Sequence, residues 1–198
     1  FLRFIERMEE RGDDLGAATA LSAQEDVIRI MTIHKSKGLE FPVVIVAGMD
    51  RQFNLQDLNQ KYLLDKDYGF ASKFIDPVKR ITYPTLFYYA LRNIKLRQQL
   101  AEEIRVLYVA LTRAKEKLVM VGCVSSFEKK REKWLKVLDL PDWVLPAYLR
   151  MKAKTYLDWV GPALMRHHSS DLLNGDAHVR DIPKDISHDT SMWKISVI

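Results

Sequence analysis

Cysteine is almost missing from this sequence: Cys123 is the only one in 198 residues. A lone thiol cannot build a disulfide framework and fits a reducing compartment, so the expected location is the cytoplasm. No apolar run approaches the roughly 18 residues that a spanning helix needs, and no membrane partner is expected. No signal-peptide pattern opens the chain. Internal repeats and low-complexity tracts are missing too. None of the eight glycines begins a G-x-x-x-x-G-K-[ST] string, so the backbone cradle and lysine that grip nucleotide phosphates are absent. No acidic pair stands out after a strand. The chain opens on Phe1 rather than methionine, and the expectation is an excerpt from something longer.

What is present reads as an ordinary globular chain. Hydrophobic residues make up 47% and charged residues 29%, which excludes a disordered tail. At about 150 residues per domain the length fits one domain or one and a half. Lys and Arg total 31 against 26 Asp and Glu, a net charge of +5. That excess permits a polyanionic partner without demanding one.

Periodicity sets out the elements. Residues 1–11 carry Phe1, Leu2, Phe4, Ile5 and Met8 on one helical stripe, and Gly12 can stop that helix. A linker of small and polar residues follows. Val27–Ile33 and Pro42–Val46 are β-branched and short, as buried strands are, with a polar turn around Gly38 between them. KYLLDKDYGFASKFI reads as a hairpin turning near Tyr68 and Gly69. Pro84 suits a first helical turn, and the helical pattern runs from Thr85 to about Lys115. Within it Ile104, Leu107, Tyr108 and Leu111 form one stripe. A strand over Leu118–Gly122 should return the chain to the sheet that holds Val43–Val46. Residues 127–138 are a basic amphipathic helix. Residues 146–166 are helical with a break at Gly161 and Pro162, and 167–191 are polar and turn-rich.

Two blocks carry chemistry. MTIHKSKGLEFPVVIV, residues 31–46, sets Thr32, His34, Lys35, Ser36, Lys37 and Glu40 on a glycine turn beside two strands. Cations and hydroxyls there can hold a phosphate backbone, and a carboxylate can accept from a sugar hydroxyl. The plain alternative is a charged loop that Gly38 merely allows to turn. EEIRVLYVALTRAKEKLVMVG, residues 102–122, spaces Arg105 and Arg113 eight apart, on roughly one side of a helix. A guanidinium fixed at a domain edge suits the charge on a transferring phosphoryl group. The plain alternatives are a Glu102–Arg105 pair and a surface arginine at a helix end.

Together the strings T-x-H-x-x-K-G-L-E-F and Y-V-A-x-T-R-A, in this order, resemble the fifth and sixth motifs of the UvrD/Rep-type superfamily 1 DNA helicases. The flanks FLRFIERMEERGDDLGAATALSAQEDV and NLQDLNQKYLLDKDYGF resemble the AddA-type (RexA-type) helicase–nuclease subunits of bacterial recombination complexes. The resemblance runs from Phe1 to about Pro162 and weakens beyond. It implies an α/β fold: a partial RecA-like second motor domain of the P-loop NTPase type, with flanking helices. The division would be 1–26 as the end of a helical insertion and linker, 27–125 as motor domain, and 126–198 as a helical extension towards a nuclease domain. It implies that Gly38 and Glu40 meet the ATP ribose side and that Arg113 reaches the γ-phosphate. Thr32 and His34 would lie along DNA, with Lys37 a weaker candidate. Arg105 and Tyr108 would be structural, a pairing charge and a packed ring. ATP and Mg would be held mainly by the first motor domain. The implied partners are single-stranded and duplex DNA and an AddB (RexB) subunit. The implied role is 3′-to-5′ unwinding in double-strand break repair, with this polypeptide inactive alone.

Other clusters point to less. His167 and His168 invite a metal site, but neighbouring histidines should point apart in a solvated tail. Trp134, Trp143, Trp159 and Tyr148 could stack bases, although their apolar neighbours favour packing. Lys129, Lys130, Arg131, Lys133 and Lys136 make a basic helix face, and Glu128-Lys129-Lys130 has no weight as a nuclease string. The rival readings are a basic, non-enzymatic interaction module and a UvrD-type helicase without nuclease. Convergence of His34, Glu40 and Arg113 on one sheet edge would favour the motor.

Overall fold

The computed structural model describes residues 27–175 and 182–198, so the helix expected over 1–11 and its linker lie outside the described residues. The chain divides into two units, Phe1–Thr32 and Ile33–Ile198. In the first, residues 27–32 have no regular structure, which corrects the strand expected over Val27–Ile33. A strand is held by its neighbours, and among the described residues none pairs with this segment. Ile33 instead opens a 3-10 turn over Ile33–Ser36.

The second unit holds two sheets joined by one long helix. Strand β1 (Phe41–Val46) pairs in parallel with β5 (Ala114–Met120). Their register slips by one residue between Phe41 and Val43, where Pro42 has no N–H to give the ladder. Strands β2 (Tyr62–Asp65), β3 (Gly69–Asp76) and β4 (Ile81–Pro84) form an antiparallel sheet in that order. The expected hairpin is therefore present with a third strand added. Its first turn is closed by Asp65, whose carboxylate accepts from the N–H groups of Asp67 and Tyr68, and Gly69 takes the left-handed φ of 77°.

Helix α1 (Leu86–Leu111) starts where the cap chemistry puts it. The Thr85 hydroxyl accepts from Tyr88 N–H at 3.2 Å and donates to the Ser72 carbonyl at 2.8 Å, so one side chain caps the helix and ties it to β3. Tyr88 is buried with Leu63, Ala71 and Leu91 under the antiparallel sheet. Pro84 closes β4 rather than opening the helix. The helix ends at Leu111, four residues before the expected end, and the strand begins correspondingly early at Ala114.

The main core places Val46 of β1 against Leu100, Leu107 and Ala110 of α1, with Met49 and Trp159. The other face of β1 shows Val43 and Ile45, which are 52% and 65% exposed. A second core gathers Trp134, Val137, Leu138, Met165 and Leu173. It binds α2 (Phe127–Leu135) to α4 (Leu157–Met165), with α3 (Ala147–Lys152) preceding α4. The break between α3 and α4 falls at residues 153–156, not at Gly161 and Pro162. Pro162 sits inside α4, and Gly161 lets that helix approach Trp134 so closely that a Cβ would stand 2.5 Å from its ring. Backbone bonds from Phe53 to Lys154 and from Leu157 to Met49 tie this extension to the loop after β1.

The region expected to be a solvated tail is built otherwise. It forms α5 (Asp171–Asn174) and α6 (Lys184–Ser187). His167 is buried, its Nδ1 accepts from Ser169 N–H, and its Nε2 faces Ser191 Oγ at 3.2 Å. The His167 and His168 rings are 4.2 Å apart rather than pointing away from each other. No helix among the described residues is long and apolar enough to cross a membrane.

Candidate functional site

The loop between Ile33 and Phe41 is closed by short-range bonds. Ser36 is buried, and its hydroxyl donates to the Ile33 carbonyl at 2.7 Å. Lys37 N–H reaches the His34 carbonyl and Leu39 N–H the Ser36 carbonyl. Gly38 then takes a φ of 82°, and a Cβ on it would meet nothing within 4 Å. Glycine is required here by the left-handed backbone, and its surface is open to a ligand.

Arg113 is set into this loop from the other side. It follows the cap Thr112, whose hydroxyl donates to the Tyr108 carbonyl at 2.9 Å. The Arg113 carbonyl accepts from Phe41 N–H at 2.9 Å, so the arginine and the start of β1 are locked together. Its guanidinium donates through Nε to the Val109 carbonyl, through Nη1 to the Leu39 carbonyl at 2.9 Å, and through Nη2 to Thr112 Oγ1. A guanidinium carries five N–H groups, so these anchors fix its plane and leave two donors unused. Arg113 thus lies in the turn after α1, not on the helix face it was expected to share with Arg105.

Glu40 belongs to the same edge. Its carboxylate faces Lys115 Nζ at 3.3 Å, with both side chains more than half exposed. An exposed pair of this kind is worth under about 1 kcal/mol, so a hydroxyl donor could replace the lysine at small cost. Phe41 and Ala114 are register partners, and this pairing brings Gly38, Glu40 and Arg113 to the N-terminal end of two parallel strands. His34 and Lys37 are exposed on the same loop. Thr32 is exposed and belongs to the other unit.

The sequence pattern alone does not reveal three participants. Lys115 is two residues beyond Arg113 and, through the β1–β5 register, close to Glu40. The Leu39 carbonyl anchors the guanidinium, and no side-chain pattern marks a carbonyl. Ser36 reads as one of the exposed polar residues, yet it is a buried clasp. Arg105 pairs with Glu102 as the plain alternative had it. Tyr108 is not a packed ring, being 67% exposed.

The other clusters divide. Trp134 and Trp159 are core residues, whereas Trp143 and Tyr148 are exposed. On the basic helix Lys130 pairs with Asp158, and Arg131 donates to the Leu173 and Asn174 carbonyls, which takes two of its five cations into structure. Among the described residues no group of three His, Cys, Asp or Glu side chains is placed to hold a metal. The donor set at the loop edge suits the ribose and phosphate ends of a nucleotide, and does not suit a divalent cation.

Residues 12–125 match the UvrD-like helicase C-terminal domain family. The whole chain is similar to proteins named as ATP-dependent helicase/nuclease subunits of the AddA type. It is 66% identical over 197 residues to that of Oceanobacillus iheyensis, 56% over 198 residues to that of Bacillus cytotoxicus and 54% over 198 residues to that of Bacillus mycoides. In each case all of this chain aligns and spans 16% of the relative's length. With the motif loop and the arginine turn joined at one sheet edge and the family match running through both, the chain belongs to the UvrD-like helicase C-terminal domain family.

Proposed function

We propose that this chain is the second-motor-domain portion of an AddA-type ATP-dependent helicase/nuclease that works on DNA in break repair. The division into 1–26, 27–125 and 126–198 is part of that reading, as are a cytoplasmic location and an AddB-type partner. The observation that carries it is the bond from Arg113 Nη1 to the Leu39 carbonyl, which ties the arginine to the glycine turn.

Arg113 would meet the γ-phosphate with the N–H groups its backbone anchors leave over. Because those anchors come from α1 and the loop before β1, the cation is held without reorganisation when the phosphate arrives. Glu40 would exchange Lys115 for a ribose hydroxyl, and Gly38 would let backbone pass close by. His34, Lys37 and Thr32 would contact the single strand. When bound, ATP with Mg supplies the phosphoryl group and its countercharge, held chiefly by a first motor domain. Arg113 then favours the closed seam only while a γ-phosphate is present, so hydrolysis relaxes it and shifts the grip on the strand.

The test is DNA-stimulated ATP hydrolysis by the full-length protein with Arg113→Ala. Turnover should fall about a thousandfold or more, with circular dichroism and nucleotide-free binding of single-stranded DNA unchanged. Near-normal turnover would overturn the reading. Similarity along the whole chain to proteins named as ATP-dependent helicase/nucleases favours it over a non-enzymatic module.

A further inference from the structure

The antiparallel sheet presents a face that the motor reading does not use. Leu64 lies opposite Phe70, Phe74 opposite Tyr83, and Asp76 opposite Ile81. Cross-strand partners share a face and neighbours along a strand alternate. Tyr62, Leu64, Phe70, Phe74, Ile81 and Tyr83 therefore stand on one side, and all six are exposed. Leu63 and Ala71 are on the other side, buried with Tyr88 and Leu91 of α1. The rings are ordered: Tyr62 and Phe70 are 6.0 Å apart at 29°, and Phe74 and Tyr83 are 4.9 Å apart at 30°.

A second feature adjoins the edge strand β4. A cleft of about 320 Å³ is lined by Asn59, Lys73, Thr82, Tyr89 and Arg92, among others. Lys73 donates to the Asn59 carbonyl at 3.0 Å, and Arg92 to the Leu58 carbonyl and Asn59 Oδ1. Neither meets a carboxylate among the described residues, and Lys61, Lys66, Lys79 and Arg80 form no ion pair there either. The carboxylates nearby are committed. Asp65 is paired with Lys95 and closes a turn, and Asp76 accepts from the N–H groups of Val78 and Lys79.

We infer that this sheet is a platform for single-stranded DNA outside the motif loop. Thr82 faces the cationic cleft and Tyr83 the aromatic face, so one turn of sugar–phosphate chain over the β4 edge serves both. A phosphate meets Lys73 and Arg92, and the adjoining base lies on Phe74 and Tyr83. Half-exposed rings can stack a base of any identity, whereas a duplex hides its base faces. Uncompensated cations around the apolar face match a polyanion; a protein partner would have to bring an acidic rim. The inference deepens the proposed function, since the strand would be the one the motor moves, but its contacts involve neither Arg113 nor Glu40.

The experiment uses the full-length protein, without nucleotide, and a 30-nucleotide oligothymidylate carrying 5-iododeoxyuridine. Ultraviolet cross-links should map to the tryptic peptides that hold Phe74 and Tyr83. Combined Phe74→Ala and Tyr83→Ala should weaken binding about fivefold or more, with Tyr83→Phe restoring its share. Arg92→Gln should lower the salt dependence by roughly 0.7 in the log–log slope. Absence of these cross-links with unchanged affinity overturns the platform. Loss of the partner protein with unchanged DNA binding also overturns it, and assigns the face to a protein. Because Arg113 is intact throughout, a failure here is separate from a failure of the ATPase reading.

Discussion

Replacing Gly161 by alanine sets two known effects against each other. Within α4, alanine is favoured over glycine by up to about 1 kcal/mol through backbone entropy. Against this, the new Cβ would stand 2.5 to 2.7 Å from three ring atoms of Trp134. Carbon atoms pack at about 3.5–4.0 Å, so the indole must retreat by about 1 Å. It has little room, being 7% exposed in the core with Val137, Leu138, Met165 and Leu173. Overpacking a core costs about 1–3 kcal/mol, so the net expectation is a loss of about 1–2 kcal/mol. Urea unfolding followed by tryptophan fluorescence measures it. In a Trp134→Leu background the clash disappears and the same substitution should become neutral or stabilising, a coupling of about 2 kcal/mol. A Gly161→Ala variant that is stabilised on its own would refute the packing of α2 on α4.

Two further outcomes follow from local geometry. Gly38→Ala should cost about 1–2 kcal/mol through backbone strain alone, since nothing lies within reach of the added methyl; Gly38→Asn should cost less in the same urea titration, and equal costs would contradict a left-handed turn. At Asp158 burial raises the carboxyl pKa, but hydrogen bonds from Lys130 and the Lys154 N–H, with the lysine charge, hold it below the ordinary value. Its contribution is therefore complete above the ordinary Asp pKa of about 3.9 and is lost as pH falls through the lower folded value. Asp158→Asn should lower the melting temperature at pH 7 and matter less near pH 3; a difference that does not change with pH would be contrary.

Much of this arrangement is legible in local chemistry. Thr85 followed by Tyr88 marks a capped helix start, and Asp65 with Gly69 marks a hairpin turn. The ends of elements are harder to read. Ala114–Lys117 has the charge pattern of a helix surface, and only pairing with β1 makes it a strand. Arg113 breaks the helix because its guanidinium turns back to Val109 and across to Leu39, a contact 74 residues away. Val27–Ile33 has strand composition, but composition does not provide a partner strand. His167 reads as a tail residue until Ser191 closes over it. For the site, side-chain types and spacing identify Gly38, Glu40 and Arg113, whereas Lys115 needs the register and the Leu39 carbonyl needs the three-dimensional structure.

The central claim is that Arg113 and Glu40 face one nucleotide. Its most direct test is a structure of the full-length protein with ADP, Mg and aluminium fluoride on single-stranded DNA. The account predicts an Arg113 N–H group within about 3 Å of the fluoride ligands, and Glu40 released from Lys115 to a ribose hydroxyl. A nucleotide bound elsewhere, with Glu40 still paired to Lys115 and Arg113 facing solvent, would contradict it.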